Sequence, residues 1–385
     1  MKRVGLIDNL NNIDQFVGDL YSNATAAEVM AATGGNTGNV AFVFGARKIL
    51  KNPILRVGWG WKPDVVRERC NHLVVCCANQ IGKHADLGTW ADRLEQFNLP
   101  VTLLGLGAQS DSMTLTPEIP AGTLRFLEFC KLSGVSQEAI NIAVRGQYTQ
   151  RVLAEIGVAS EPAGCPSLHI NGNPELGAAI LHRQDKQAIQ RVAVAAGNPW
   201  HAGSAGLERM LVEIVNEYNG DYILQHPESM LQVAYGERDV MSQKTINRFI
   251  DVYKGLFDFE GMLDWYRKYS SVFVDAPNWM RFLTKFDIVL GPRYHGVALG
   301  IQAGIPGCVI TIDSRTQELC EGTAIKCLSA SDALGLTAVE LVEMSRWTEH
   351  DAQFFDHIRH QKATAYASFL KSNGLQPSDQ LTRLI

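Results

Sequence analysis

The sequence has no apolar stretch long enough to cross a membrane and no excess of positive charge. Its longest apolar stretches, Leu73–Ala78 and Val297–Ile312, are short or interrupted by glycine, proline and polar residues, whereas a transmembrane helix needs about 20 mostly apolar residues. Lysine and arginine number 35 against 40 aspartates and glutamates. Because no overall positive field is available to hold a phosphate backbone, we expect no nucleic-acid partner.

Cysteine is also scarce. The eight cysteines among 385 residues include no pair of CxxC motifs, so neither a zinc site nor a disulfide framework is indicated. No aspartate, glutamate or histidine spacing is typical of a metal site either. The N-terminal sequence MKRVGLIDNLNNIDQ carries acids and asparagines where a signal peptide needs an apolar run. We therefore expect a cytoplasmic protein without a metal.

The chain does contain enough apolar residues for a large core. Hydrophobic residues make up 46% and charged residues 19% of the sequence, which excludes a disordered or collagen-like protein. Short apolar runs alternate with longer helical patterns, and the runs lack strict alternation, as in strands that are buried on both faces of a parallel sheet. This order predicts an α/β protein with two Rossmann-like, doubly wound domains facing a central cleft.

The predicted domain limits follow from this alternation. The N-terminal domain spans 1–172, the C-terminal domain spans 188–348, and a C-terminal helix within 349–385 packs across both. The polar segment His169–Gln187 is interpreted as the linker. The predicted strands of the first block are Arg3–Ile7, Ile54–Gly58, His72–Cys76, Val101–Leu106 and Asn141–Val144. Those of the second are Arg191–Ala196, Asp221–Leu224, Ser271–Val274, Asp287–Gly291 and Gly307–Ile312.

The glycine-rich segment Thr33–Asn39 is the first candidate binding loop. Its glycines permit close backbone approach, and the start of the following helix offers free N–H groups to an anion. The segment matches neither GxGxxG nor the P-loop pattern. Asn36, Gly38 and Asn39 are therefore candidate substrate contacts. The alternative is a structural turn in which Asn39 caps the helix.

Two further candidates follow predicted strands. Gly107 and Gln109 emerge where a buried strand ends in a Gly-x-Gly turn, the place where a doubly wound fold positions ligand groups. The alternative there is a tight turn between strand and helix. Arg145 directly follows another strand at a helix entrance, where a guanidinium is well placed to bind a phosphate or carboxylate, unless it pairs with a local acid.

The sharpest pattern is Arg293-Tyr294-His295, which follows an apolar strand and a Gly-Pro pair. An arginine can hold an anion while a neighbouring histidine exchanges a proton near neutral pH, so all three residues are candidates. The alternative is a capping histidine beside an ion-paired arginine. Arg315 follows the next strand and either adds positive charge to the same cleft or pairs with a local acid.

Cys165 precedes a proline turn. It could act as a nucleophile, but no partner lies near it in the sequence. A structural thiol is therefore the expectation.

These segments, in this order, resemble the polysaccharide pyruvyl transferase family. The matching stretches are GNTGNVAF, LGLGAQ, AVRGQYTQRVLAEIG, GCPSL, GPRYHGVALGIQAGIPG and IDSRT, which extend over residues 34–316. The R-x-H-G segment before a Gly-Ile-Pro turn is the most specific of them. The resemblance implies a fold like that of the GT-B glycosyltransferases. It also implies an enzyme that moves a pyruvyl group from phosphoenolpyruvate to a saccharide as a ketal, in cell-surface or extracellular polysaccharide biosynthesis.

The resemblance also implies roles for particular residues. His295 would be the catalytic acid/base, and Arg293 and Arg145 would grip the donor's phosphate and carboxylate in a site that belongs largely to the C-terminal domain. A protonated histidine can supply the proton that the methylene carbon needs. Arg315 stands where some members carry a lysine, and the N-terminal loop reads Gly-Asn where some carry Gly-Asp. Phosphoenolpyruvate and a saccharide acceptor would be the partners, with no cofactor.

Two other functions fit the same patterns. A nucleotide-sugar-dependent GT-B-type glycosyltransferase would share the two-domain cleft and the glycine-rich loop. A non-catalytic sugar- or anion-binding protein could use the same fold, because fold alone does not determine function. The sequence is compatible with a homo-oligomer and does not specify the acceptor sugar.

Overall fold

The computed structural model describes residues 3–11, 24–110, 112–186, 188–200 and 203–385. Two parallel sheets organise these residues. The first has five strands in the order β2-β1-β3-β4-β5, and the second has six in the order β11-β10-β9-β6-β7-β8. Helices pack against both sheets, so the predicted α/β architecture with two parallel sheets is confirmed.

The strands lie close to their predicted positions. All six residues of the interior strand Val101–Leu106 are buried, as expected for a parallel sheet that is covered on both faces. The strands of the first sheet are β1 Arg3–Ile7, β2 Ile54–Arg56, β3 Cys70–Cys76, β4 Val101–Leu106 and β5 Ile142–Val144. Those of the second are β6 Val192–Ala195, β7 Asp221–Leu224, β8 Ser270–Val272, β9 Ile288–Gly291, β10 Gly307–Thr311 and β11 Cys327–Ser329.

In the described part of the first half of the chain, seven α-helices lie between or after the strands, and the first of them begins at Ala26. They are α1 Ala26–Ala32, α2 Asn39–Ile49, α3 Pro63–Arg69, α4 Gly88–Phe97, α5 Ala121–Leu132, α6 Gln147–Glu155 and α7 Leu176–Gln184. Those of the second half are α8 Ala205–Glu217, α9 Glu228–Tyr235, α10 Gln243–Val252, α11 Phe259–Tyr269, α12 Ala276–Leu283, α13 Tyr294–Gln302, α14 Ser314–Thr323, α15 Ala330–Leu334, α16 Ala338–Met344, α17 Glu349–Ser372 and α18 Asp379–Thr382. No helix within the described ranges is both long and apolar enough to span a bilayer.

The segment interpreted as the linker contains a helix, α7. Leu176, Ile180 and Gln184 of α7 are buried at a spacing of four residues, which is one face of a helix, and α7 packs against α17. The glycine, proline and asparagines that precede α7 hid this spacing in the sequence. Residue 187, at the end of the segment, lies outside the described residues.

Helix α17 contacts segments from both halves of the chain. The buried Arg359 donates from Nε to the Leu168 carbonyl at 3.0 Å, and Lys362 donates to the Pro162 carbonyl at 2.6 Å. Towards the second half, the Asp351 carboxylate pairs with Lys326 Nζ at 2.9 Å. This helix therefore connects the segment after the first sheet with the second sheet.

The N-terminal segment around α1 packs on the second domain rather than on the first. The buried face of α1 joins the hydrophobic core of the six-stranded sheet, and the Ala26 amide donates to Glu237 Oε1 at 2.8 Å. Further along, the Thr37 amide donates to the Gln225 carbonyl at 3.1 Å. The glycine-rich loop is thereby held at the junction between the two sheets.

Helix α14 makes the reciprocal connection from the second domain to the first. The buried Glu318 carboxylate accepts hydrogen bonds from the Thr149 amide at 2.7 Å and from its hydroxyl at 2.8 Å, at the start of α6. Ser314 Oγ donates to the Ser110 carbonyl at 2.7 Å. Burial raises the pKa of the Glu318 carboxyl.

Candidate active site

A cavity of about 470 Å³ lies where the carboxyl ends of both sheets face each other. This is the position at which open α/β sheets bind ligands. Eight of the ten candidate residues from the sequence line it: Asn36, Asn39, Gln109, Arg145, Arg293, Tyr294, His295 and Arg315. The other two, Gly38 and Gly107, lie directly behind this wall. Arginines from both domains therefore converge on a single cavity.

Arg145 is the cation that the first domain contributes. Its side chain is buried, and it donates from Nε to the Gly105 carbonyl at 2.9 Å and from NH1 to Asn79 Oδ1 at 2.5 Å. Its guanidinium also lies 5.8 Å from the Phe42 ring centroid. Among the described residues, none of its hydrogen bonds goes to a carboxylate, so the alternative of a local ion pair does not apply. The positive charge is available to an anion.

Gly107 packs closely against this arginine. A Cβ at position 107 would lie 2.5 Å from Asn79 Oδ1 and 2.9 Å from Arg145 Cδ. Both distances are shorter than normal van der Waals contact. Because glycine has no side chain, Arg145 and Asn79 have the space to contact each other at this position.

Arg293 belongs to the second domain and is also held by neutral groups. Its NH2 donates to the Gly197 carbonyl at 3.1 Å and to the His226 carbonyl at 2.8 Å. Burial, and then the neighbouring Arg315, lower the pKa of Arg293 to about 10, so the side chain stays charged at neutral pH. Two adjacent guanidinium groups that repel each other favour a bound anion.

Arg315 combines the two alternatives that the sequence left open. It lines the cavity and also donates from Nε to Asp313 Oδ2 at 2.8 Å. Asp313 is in addition the N-cap of α14 and accepts from the Thr316 amide. Its carboxylate therefore positions Arg315 at the start of the helix. Burial alone would raise the pKa of the Asp313 carboxyl, but the charge of Arg315 and the hydrogen bonds from Arg315 and Thr316 together outweigh this effect and keep the pKa below its usual value.

His295 stands at the beginning of α13. Within the described part of the chain, its hydrogen-bond contact is the one between Nε2 and Cys165 Sγ, at 3.6 Å. Burial, and then Arg145, lower the pKa of His295 to about 3. The ring is therefore neutral at neutral pH, whereas the sequence suggested a protonated histidine. An anion beside the ring would favour the charged form and raise this pKa.

Cys165, expected to be a structural thiol, is fully buried and is absent from the cavity wall. Its sulfur lies between Ser167 Oγ, at 3.1 Å, and the His295 ring. Tyr294 lines the cavity, but its hydroxyl donates to Thr323 Oγ1 at 3.1 Å. The Tyr294 ring meets the His295 ring edge to face, with centroids 5.3 Å apart, so both side chains support the position of His295.

The glycine-rich loop is braced by its own side chains. Asn36 Oδ1 accepts from the Gly38 amide at 2.8 Å, and Asn39 Nδ2 donates to the Thr33 carbonyl at 2.8 Å. The N-cap of α2 is Gly38, so the alternative that Asn39 caps the helix was wrong by one position. A Cβ on Gly38 would lie 2.6 Å from Gln225 Oε1 and 3.4 Å from His295 Cβ.

Several polar residues on the cavity wall were missed in the sequence, among them Asn79, Gln225 and His226. Gln225 is 2% exposed, and its Nε2 has no hydrogen-bond partner among the described residues. Gln225 and His226 follow β7 directly, so the rule that functional groups follow parallel strands applied to them. They were overlooked because no glycine accompanies them.

Comparisons with known proteins identify one matching family and several distantly similar structures. A family model described as polysaccharide pyruvyl transferase matches residues 36–314, and no curated protein matches significantly. A Listeria monocytogenes protein described as a UDP-N-acetylglucosamine 2-epimerase is similar at 10% identity and a TM-score of 0.44, over 98% of this chain and 99% of that one. The Neisseria meningitidis UDP-GlcNAc 2-epimerase bound to UDP-GlcNAc is similar at 8% identity and a TM-score of 0.43, over 96% and 100%.

Proposed function

The chain belongs to the polysaccharide pyruvyl transferase family, and we propose that it moves a pyruvyl group from phosphoenolpyruvate to two hydroxyls of a saccharide. The observation that carries the proposal is the convergence of three arginines and a histidine from both domains on one cavity. Phosphoenolpyruvate is a small anion with a phosphate and a carboxylate on one carbon. Such a donor needs several cations close together, even on a chain with a net charge of −5.

The arrangement of the three arginines supports separate roles in binding the phosphate and the carboxylate of the donor. Arg293 and Arg315 are close enough for their charges to interact, and together they would hold the phosphate. Arg145 acts on His295 through its charge and would hold the carboxylate beside the histidine. Guanidinium groups that are already in place stabilise the charge that develops on a leaving phosphate without further reorganisation.

His295 would start the reaction once the donor is bound. The donor's negative charge raises the pKa of the ring, which takes up a proton and delivers it to the methylene carbon of phosphoenolpyruvate. The adjacent carbon becomes oxocarbenium-like and is attacked by a sugar hydroxyl. Phosphate then leaves, and a second hydroxyl closes the ketal ring.

The test is the identity of the product. Inorganic phosphate released from phosphoenolpyruvate, together with a pyruvyl ketal on the saccharide in its mass spectrum, supports the proposal. A nucleoside diphosphate released from a sugar nucleotide would instead identify a glycosyltransferase, and binding without turnover would identify a non-catalytic protein.

Substitution of the histidine gives a second test. We expect His295→Ala to abolish phosphate release while the circular dichroism spectrum and melting temperature remain near those of the wild type. The matched control is His182→Ala, because His182 is exposed on α7, outside the cavity. Wild-type turnover by the His295→Ala variant would remove this residue from the reaction.

A further inference from the structure

Among the residues that the structure describes, the cavity wall carries three histidines: His84, His226 and His295. His84 is exposed, and its Nε2 is engaged with the Asn79 carbonyl oxygen at 2.7 Å. His226 lies at the carboxyl end of β7. Its Nδ1 lies 3.0 Å from the Gly35 carbonyl oxygen. Because a carbonyl only accepts hydrogen bonds, Nδ1 must carry the proton of this contact. In the neutral ring, Nε2 is then the nitrogen with a free lone pair. The glycine-rich loop therefore selects the tautomer that leaves Nε2 able to accept a proton.

Hydrogen bonds hold the backbone of His226 beside Arg293 and the glycine-rich loop. The backbone carbonyl of His226 accepts from Arg293 NH2 at 2.8 Å, and the preceding carbonyl, of Gln225, accepts from the Thr37 amide at 3.1 Å. Burial, then Arg293, and further Arg315 lower the pKa of His226, while the bond to Gly35 opposes them. The charged groups that act on the ring are therefore the two arginines assigned to the phosphate.

The proposed reaction needs two proton carriers. Two hydroxyl protons leave the acceptor, and in the products one is on the new methyl group and the other is on the phosphate. His295 accounts for the proton that goes to carbon. The proton that goes to phosphate needs a base that is neutral before attack and close to the phosphate afterwards, and His226 meets both conditions.

We propose that His226 Nε2 accepts the proton of the attacking acceptor hydroxyl and then delivers it to the departing phosphate. The inference rests on the proposed function. In the first step, protonated His295 gives its proton to the methylene carbon, the hydroxyl oxygen forms a bond to the neighbouring carbon, and His226 takes the hydroxyl proton. In the second step, the carbon–phosphate oxygen bond breaks, with its electron pair leaving on phosphate. His226 then protonates the phosphate, while the second hydroxyl attacks and returns its proton to His295.

Donor binding makes this base stronger at the right moment. Arg293 and Arg315 disfavour a charged His226. Once phosphate neutralises the two guanidinium groups, their effect on the ring decreases and the affinity of Nε2 for a proton rises. His226 is therefore prepared to act as a base after the donor has bound.

The test compares His226→Asn with His226→Ala. The asparagine amide nitrogen takes the place of Nδ1 and keeps the hydrogen bond to the Gly35 carbonyl, but nothing takes the place of Nε2. We expect both variants to lose about 10²–10⁴-fold in kcat, the usual contribution of general base catalysis, with a KM for phosphoenolpyruvate close to that of the wild type in the asparagine variant. If His226 only supports the loop, the asparagine variant will instead recover most of the activity that alanine loses.

The dependence of kcat on pH distinguishes a base from a residue that only supports the structure. A base must be deprotonated to act, so wild-type kcat should rise with pH through the pKa of His226, and this limb should disappear in His226→Asn. Methyl hexopyranosides with free 4- and 6-hydroxyls are the acceptor probes, and phosphate release is the signal. If the wild type releases no phosphate with any of them, the proposed function fails. If the wild type turns over and His226→Asn keeps its kcat and its profile, this inference alone is overturned.

Discussion

Donor binding should draw a proton into the cavity, and His295 should be the group that takes it up. With a pKa of about 3, only roughly one His295 ring in 3,000 is protonated at pH 6.5. The proposed role requires the protonated ring in the donor complex. The pKa must therefore rise by more than three units on binding, which corresponds to about 5 kcal/mol of favourable interaction between donor and proton.

The charges in the cavity can supply this amount. A carboxylate about 4 Å from the imidazolium contributes about 4 kcal/mol at an effective dielectric constant of 20. Pairing of Arg145 with the same carboxylate also removes the repulsion that now lowers the pKa of His295. The two effects have the same sign, and together they match the required shift.

Titration calorimetry of phosphoenolpyruvate in buffers with different ionisation enthalpies measures the proton uptake directly. We expect close to one more proton per donor bound in the wild type than in His295→Gln at pH 6.5. Protonation of the free donor is the same in both titrations and cancels in the difference. Equal proton uptake by the two proteins would refute the argument that the donor charges His295.

Two other predictions concern a glycine and a buried histidine. Gly107→Ala should raise the KM for phosphoenolpyruvate by about tenfold, because the new methyl group displaces Arg145 at a cost of about 1–3 kcal/mol. Gly60→Ala, where a Cβ meets nothing within 4 Å, is the control, and equal KM values would contradict the steric argument. Burial, then Arg359, lower the pKa of His169 to about 3. The unfolded chain therefore takes up a proton on this ring below about pH 6.5 while the folded protein does not, so the free energy of unfolding falls as the pH falls below that value. His169→Phe should therefore reduce the loss of unfolding free energy between pH 7.5 and 5 by about 2 kcal/mol in urea titrations, and an unchanged difference would show that this ring is not responsible.

The sheets could be predicted from sequence because buried parallel strands leave a local signal. The runs around β4 and β9 are almost entirely apolar and end in glycine, so both their position and the polar residues after them were identified. Helix α14, SRTQELCEGT, has no apolar stripe that would have revealed it. It is held by the capping box of Asp313 and Thr316 and by contacts with the other domain, which depend on residues far away in the chain.

The site was predictable to a similar degree and for a similar reason. Residues that follow a strand are drawn to one edge of a sheet, and this rule brought Arg145, Arg293 and Arg315 to the cavity wall. The local sequence does not encode what those charges meet across the cleft. The neutral state of His295 results from burial and from Arg145, 150 positions away, and the tautomer of His226 is set by the Gly35 carbonyl. Both properties exist only after the domains have assembled.

The packing of α1 on the six-stranded sheet bears on how this protein can be divided or recombined. A fragment that starts after α7 would retain all six strands of its sheet, yet it would lack the helix that covers Met230 and Leu231 in the same core. Such a fragment would present a bare apolar surface and aggregate. Chimaeras that exchange the C-terminal half between relatives should therefore also exchange residues 24–39. The two segments form one structural unit although they are separated in the sequence.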